Sequence, residues 1–149
     1  MVKGFVADLG TATKKNMDFR RVLYTGSWSQ LVLMRLRPAE DIGEEVHTDV
    51  DQFFRVEEGE GYVVIDGTRY PIRNGSGVMV PAGAKHNVIN SSRTMDLKLS
   101  TIYAPPEHRD QIVRRSKQEA MAREEHFDGK TTEQGISDNP LPGEHGTPE

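Results

Sequence analysis

An all-β fold, an antiparallel barrel or sandwich, is predicted by three features of this 149-residue sequence. Turn-forming clusters such as RPAED, EEGEG and RNGSG interrupt residues 17–105 every eight to twelve residues. The runs between the clusters are short and rich in β-branched and aromatic residues, as in QLVLMRLR and GYVVIDG. There are about eight such runs, which is the number of strands in a small barrel.

Composition divides the chain into four parts. Residues 1–26 are predicted as an N-terminal strand segment, 27–105 as the barrel, 106–127 as a short helical segment, and 128–149 as a mobile tail. Good helix formers in RDQIVRRSKQEAMAREEHF predict the helical segment. The tail has too few large apolar residues to offset the entropy of ordering it. Within the barrel, Asp66-Gly67 predicts a tight hairpin and Asn74-Gly75 another reversal.

Charge and composition exclude several classes of function. The net charge of -4 provides no basic field for a nucleic acid, so we expect no nucleic-acid partner. There is no cysteine, which leaves histidine, carboxylate, amide or water as the ligands of any metal. The sequence has no long apolar run and does not begin like a signal peptide. We therefore expect a cytoplasmic protein that does not enter a membrane.

The segment GEEVHTDVDQFFRVEEGEG, residues 43–61, combines acids, one histidine and one glutamine. Residues two apart on a strand share a face, so Glu45 and His47 should project together. After the turn, the same alternation sends Gln52, Phe54 and Val56 inward and the charged residues outward. Because a buried glutamine needs polar partners, this face of the barrel is predicted to have a polar centre.

The segment PAGAKHNVIN supplies a further histidine from a distant strand, because His86, Val88 and Asn90 should share a face. Together with Glu45, His47 and Gln52, His86 would complete a set of nitrogen and oxygen donors suited to Mn, Fe, Co, Ni or Zn. The alternative is an inward histidine that only forms hydrogen bonds, beside a solvated Glu45.

The remaining histidines and the inward apolar residues have simpler interpretations. His108, His126 and His145 lie near the helical segment or in the tail, where a solvent-facing side chain is expected. Met34, Phe54 and Tyr103 are predicted to line an apolar cup around the polar centre, as a substrate pocket. The alternative is that these three residues are ordinary core.

Two spaced motifs carry a resemblance to a known family. Gly, five residues, Pro, one residue, Gly, two residues, His, three residues and Asn fall on Gly75, Pro81, Gly83, His86 and Asn90. In these positions the chain resembles the cupins. The family's first motif, with two His, a Glu and flanking glycines, falls on Ala39, Glu45, His47, Gln52 and Gly59. Here only His47 and Gly59 match as written, and the two replaced ligands both keep an oxygen donor.

The resemblance covers about residues 30–105 and implies a double-stranded β-helix, or jelly roll. It also implies a divalent metal, Zn, Mn, Fe or Ni, held by Glu45, His47, Gln52 and His86. A homodimer and a small-molecule ligand or substrate are expected from the same resemblance.

Three functions are consistent with these features. The first is a metal-binding cupin that binds or acts on a small oxygen-chelating organic molecule, as an oxygenase or an isomerase if it is an enzyme. The second is a non-catalytic sensor or accessory cupin. The third is a metal-free site of the sugar isomerase or epimerase type, with His47 or His86 as base and Tyr103 as acid.

Overall fold

The structure, a computed structural model, describes residues 2–135. They form ten strands, two short α-helices and one 3₁₀ turn, which confirms the predicted all-β class with a short C-terminal helix. In chain order the elements are α1 (Leu9–Lys15), β1 (Arg20–Thr25), β2 (Gln30–Leu36), β3 (Glu45–Val46), β4 (Asp51–Glu58), β5 (Glu60–Ile65), β6 (Thr68–Arg73), β7 (Gly77–Val80), β8 (Lys85–Asn90), β9 (Leu97–Ala104), β10 (Val113–Arg114), α2 (Lys117–Ala122) and the 3₁₀ turn (Glu133–Gly135).

The strands form two antiparallel sheets that enclose one core. The larger sheet has the order β10-β1-β2-β9-β4-β7, and the smaller has the order β3-β8-β5-β6. Their inner faces share one hydrophobic cluster, to which the larger sheet contributes Met34 and Leu99 and the smaller Val63 and Val88. The arrangement is the predicted jelly roll.

Alternation of inward and outward side chains sets the register of the central strands. On β2, Gln30, Val32 and Met34 are almost completely buried, and on β4, Gln52 and Phe54 are buried in the same way. Since a slip of one residue would turn each inward set out of the barrel interior, burial of this face fixes the pairing. The inward direction of Gln52 follows from this register.

Two predicted turns join the strands in different ways. Asp66 and Gly67 both have positive φ, 45° and 84°, as a two-residue hairpin between β5 and β6 requires. The turn at Asn74-Gly75 instead leads from β6 in the smaller sheet to β7 in the larger. It therefore reverses the chain across the barrel and not within one sheet.

Gly59, the final position of the first motif, permits a close approach of two chain segments. It has a φ of 97°, and a Cβ atom placed there would lie 2.4 Å from the carbonyl oxygen of Asp96. Any larger residue would force apart the junction of β4 and β5 from the start of β9. A glycine is required here by space as well as by backbone conformation.

Helix α1 was not predicted within the N-terminal segment. It covers the outer face of the larger sheet, where Ala12 packs with Leu23 and Leu33. The Asp8 side chain accepts a hydrogen bond from the Thr11 backbone N–H at 3.2 Å and caps the helix. A seven-residue helix has little stability of its own, so packing on the sheet determines that it forms.

The chain after β9 is less helical than its composition suggested. Within the predicted helical segment, residues 106–127, only Lys117–Ala122 is α-helical, beginning after the Ser116 cap, and Val113–Arg114 instead pairs with β1 as strand β10. Backbone pairing with the edge of the larger sheet overrides helix propensity at that point. Neither α-helix among the described residues has the length and apolar character needed to cross a bilayer.

Residues 128–135, where the mobile tail was expected to begin, fold back onto β1. Thr132 is buried, and its hydroxyl accepts a hydrogen bond from the Thr25 backbone N–H at 2.7 Å and donates to Asp110. The Tyr24 hydroxyl donates to Glu133 at 2.8 Å. Polar contacts hold this segment, which is why a count of apolar residues did not reveal it. The rest of the predicted tail, from residue 136, lies outside the described residues.

Candidate metal centre

Three of the predicted ligands come together at one end of the barrel. Strand pairing places Glu45 of β3 directly opposite His86 of β8, and His47 follows two residues after Glu45. One ligand atom from each of these three residues lies within 4.8 Å of the other two. The ring centroids of His47 and His86 are 5.4 Å apart. Side chains at this spacing can share one metal ion.

Both imidazoles leave the same nitrogen free. The Nδ1 atom of His86 lies 3.1 Å from the Ala84 carbonyl oxygen, so it carries the proton and donates. The Nδ1 atom of His47 lies 3.5 Å from a carboxylate oxygen of Glu107. The Nε2 atoms of both rings are buried, with no hydrogen-bond partner among the described residues. Each Nε2 can therefore present a lone pair to a metal.

Gln52 has an oriented amide. The residue is 2% exposed, and its Nε2 group donates to the Thr101 hydroxyl at 3.1 Å. Its Oε1 atom is buried and lacks a partner within residues 2–135. An unsatisfied buried carbonyl costs roughly 1–3 kcal/mol, so this oxygen favours a partner beyond those that residues 2–135 supply.

Buried polar atoms without a hydrogen-bond partner, here called orphan atoms, are distributed as a metal site requires. Five buried side-chain nitrogen or oxygen atoms of residues 2–135 have no hydrogen-bond partner, and three of them belong to His47, Gln52 and His86. Glu45 adds a carboxylate whose Oε1 is 3.9 Å from the Nε2 of His47. Two imidazoles, an amide and a carboxylate make a donor set that suits a first-row divalent ion.

The predicted pocket residues are all buried, but their positions differ. The ring of Phe54 lies 6.3 Å from that of His86, and the ring of Tyr103 lies 6.0 Å from that of His47. These two aromatics flank the imidazoles. Met34 is fully buried within the hydrophobic core, opposite Leu99 on β9.

His108, which was expected to face solvent, is instead buried, so that expectation is wrong. Its Nε2 atom lies 3.3 Å from the Tyr103 hydroxyl, and its Nδ1 atom lies 2.7 Å from a carboxylate oxygen of Glu125. Glu125 also pairs with Arg114 at 3.3 Å. A buried chain of polar groups thus leads from the aromatic wall of the site to the C-terminal segment.

Gln30 fixes the backbone that carries this chain. Its Nε2 group donates to the His108 carbonyl at 2.7 Å, and its Oε1 atom accepts the backbone N–H groups of Glu107 and His108. Gln30 lies on the inward face of β2 with Val32 and Met34, as alternation along the strand requires. Its hydrogen-bond partners could not be predicted from the sequence, because they belong to a distant loop.

Burial sets the ionisation of the groups around the centre. It lowers the pKa of His108 to about 4, although the hydrogen bond to Glu125 opposes this, so the imidazole is neutral near pH 7. With its Nδ1–H directed at Glu125, its Nε2 accepts the hydrogen bond from the Tyr103 hydroxyl. Burial also raises the pKa of Tyr103 and that of Glu107, and His47 offsets part of the effect on Glu107.

Lowering the pH from 7 to 4 should destabilise the fold by about 3 kcal/mol through His108. Its pKa is about 4 in the folded protein and 6.5 ordinarily, so between these values the unfolded chain binds a proton that the folded chain does not. Stability is therefore fully present above pH 6.5 and falls as the pH is lowered. Urea unfolding at several pH values measures this. His108→Gln should flatten the dependence and the exposed His126→Gln should not; equal slopes in all three proteins would contradict the assignment.

Comparison with known proteins agrees with this architecture. Residues 32–103 match the Cupin domain family. The uncharacterized protein YrkC of Bacillus subtilis is 43% identical over 129 residues, which is 83% of this chain and 69% of YrkC. A protein of Streptomyces cyaneus named polyketide synthase CurC is 30% identical over 110 residues, 68% of this chain and 70% of that protein.

Among solved structures, BH2720 from Bacillus halodurans is similar over most of its length. It superposes with a TM-score of 0.79 at 40% identity and covers 81% of this chain and 96% of BH2720.

Proposed function

The chain belongs to the cupin family, and on that premise we propose that it is a metal-dependent cupin that binds a small oxygen-chelating organic molecule. Glu45, His47, Gln52 and His86 would hold the metal. The observation that carries this proposal is the set of three buried orphan atoms, Nε2 of both histidines and Oε1 of Gln52. A bound divalent ion would supply Lewis acidity toward the oxygen atoms of the organic molecule.

The side chains of the site have separate roles in this proposal. Glu45 supplies the one negative charge of the donor set, and the hydrogen bond to Ala84 holds His86 in the tautomer that ligates. Phe54 and Tyr103 form apolar walls beside the imidazoles. Four protein donors would leave one or two coordination positions for the organic molecule.

The name of one relative supports an oxygen-rich ligand. The similar protein of Streptomyces cyaneus is called a polyketide synthase. Polyketides carry closely spaced carbonyl and enol oxygens, and such pairs chelate divalent metals. A molecule of this kind would fit a centre with open positions between aromatic walls.

The finer predictions from the sequence stay predictions. These are the identity of the metal, turnover as an oxygenase or isomerase, the homodimer and the cytoplasmic location. We do not favour the metal-free isomerase, because its acid would be Tyr103. Burial raises the pKa of that hydroxyl and makes it a poorer proton donor.

Binding of acetylacetone to metal-loaded and metal-free protein tests the proposed function. Acetylacetone offers two chelating oxygens, whereas 2-pentanone has the same carbon chain and one oxygen. We expect acetylacetone to bind the zinc-loaded protein at least about tenfold more tightly than the metal-free protein, and 2-pentanone to show no such difference. Calorimetry gives the affinities, and the zinc content after titration controls for metal stripping. Equal binding of acetylacetone to both forms would refute the proposal.

A further inference from the structure

A cavity of about 320 Å³ lies beside the metal centre, between the loop before β3 and the C-terminal segment. Its walls include Arg20, Glu45, Glu107, His108 and Glu125. Glu45 is one of the proposed ligands, and Glu107 contacts the imidazole of His47. The cavity therefore borders directly on the centre and offers room for a ligand that reaches the metal.

Arg20 is a buried cation that forms no ion pair among the described residues. It lies on β1 with 8% of its surface exposed, and its Nε atom has no hydrogen-bond partner among the described residues. No carboxylate within residues 2–135 forms an ion pair with it, whereas its neighbour in the sheet, Arg114, pairs with Glu125. Burying a guanidinium that forms no ion pair is costly, so the position favours an additional anionic partner.

Most of the other charges around the cavity form ion pairs or face solvent. Although burial opposes it, the hydrogen bond with His108 and the nearby charges of Arg20 and Arg114 lower the pKa of Glu125, so the two guanidinium groups share this carboxylate. Lys117 pairs with Asp41, and in the proposed function the charge of Glu45 is taken up by the metal. Glu44 and Glu124 are exposed to solvent, which screens them. Glu107 contacts the imidazole of His47. Arg20 is thus the buried cation facing the cavity that forms no ion pair among residues 2–135.

The guanidinium of Arg20 is also held in place. Its Cζ atom lies 5.4 Å from the centre of the Phe19 ring, within the range of a cation–π contact. Packing against a ring restricts the side chain before any ligand arrives. A planar guanidinium restricted in this way is suited to paired hydrogen bonds with a carboxylate.

We propose that Arg20 is an anion subsite of this cavity and that the ligand is a small organic acid. Its chelating oxygens would face the metal, and a separate carboxylate would pair with Arg20. The inference rests on the proposed metal-dependent function and adds the class of ligand to it. Arg20 thereby becomes a residue that determines specificity.

Two matched pairs of 2-oxo acids test the subsite. 2-Oxoglutarate and 2-oxoadipate have a chelating end and a second carboxylate, and 2-oxovalerate and 2-oxohexanoate have the same carbon chains without it. In zinc-loaded wild-type protein, at least one diacid should bind about 10- to 100-fold more tightly than its monoacid, as a charge-assisted pair warrants. No preference at either chain length would overturn the proposal without the use of any variant.

Substitutions at Arg20 test whether this residue causes the preference for diacids over monoacids. Arg20→Gln should reduce it to less than about threefold, and Arg20→Lys, which lacks the guanidinium fork, should lose most of it. The exposed Arg93→Gln removes the same charge elsewhere and should keep the preference. A diacid preference that persists in Arg20→Gln would overturn the assignment. If the glutamine variant does not fold, an undiminished preference in Arg20→Lys would overturn it instead.

The subsite and the metal can fail separately. Zinc binding without diacid preference would contradict the subsite and leave the metal function standing. If wild-type protein binds no zinc, the proposed function fails, and glutarate binding to the metal-free protein then tests Arg20 alone. Glutarate binding that Arg20→Gln weakens at least about tenfold would support the subsite, and binding that it leaves unchanged would refute it.

Discussion

His86→Ala should lower the affinity for zinc by roughly 100-fold or more, because it removes a ligand and not a residue that merely supports one. In the folded protein the Nε2 atom of His86 is buried without a partner and lies in the same group as Glu45 and His47. His47→Ala should have a comparable effect. Elemental analysis and competition with a chromophoric chelator measure the zinc content and the affinity.

Two further measurements distinguish the loss of a metal ligand from the loss of the fold. Zinc should raise the melting temperature of the wild-type protein, since binding to the folded state alone stabilises it, and this increase should vanish in His86→Ala. The exposed His126→Ala should keep both the zinc content and the stabilisation. Stoichiometric zinc in His86→Ala and His47→Ala would show that the ligand set is wrong.

Gln52→Glu should raise the affinity for zinc at least about tenfold. The wild-type donor set carries one negative charge, and the variant would carry two around the same cation. Without metal, the new carboxylate would lie buried where the amide now donates to Thr101, so the metal-free variant should be less stable than the wild type. The substitution therefore has opposite effects on the loaded and metal-free forms.

Competition titrations measure the zinc affinity, and melting temperatures with and without zinc measure the stability of the loaded and metal-free forms. Gln118→Glu, which adds the same charge on an exposed position of α2, is the matched control and should change neither quantity appreciably. A Gln52→Glu protein with unchanged zinc affinity would place the amide outside the donor set. A stabilised metal-free form would contradict the burial argument.

The barrel and the inward direction of the proposed ligands followed from a single property of the sequence. Side chains on a strand alternate with a period of two, so apolar neighbours on β4 and β8 reveal which way Gln52 and His86 point. Pairing of distant strands then brings Glu45 opposite His86. The spacing in the two motifs predicts that Glu45 and His86 lie close together. Alternation within one strand cannot predict this.

The features that could not be predicted from the sequence depend on contacts between distant segments. Helix α1 forms because the outer face of the larger sheet is apolar at Leu23 and Leu33. His108 is buried because Gln30 holds its backbone and Glu125 and Tyr103 hold its ring. No local pattern around His108 distinguishes it from a surface histidine, and only the folded chain shows its partners.

The most direct test of the central claim is anomalous diffraction at the zinc edge from crystals of the zinc-loaded protein. We predict one peak at about 2.0–2.3 Å from Nε2 of His47, Nε2 of His86, a carboxylate oxygen of Glu45 and Oε1 of Gln52. A peak elsewhere, or one that does not contact both imidazoles, would contradict the account. A peak bound by the other three residues, with Gln52 Oε1 turned away, would contradict the role assigned to the amide.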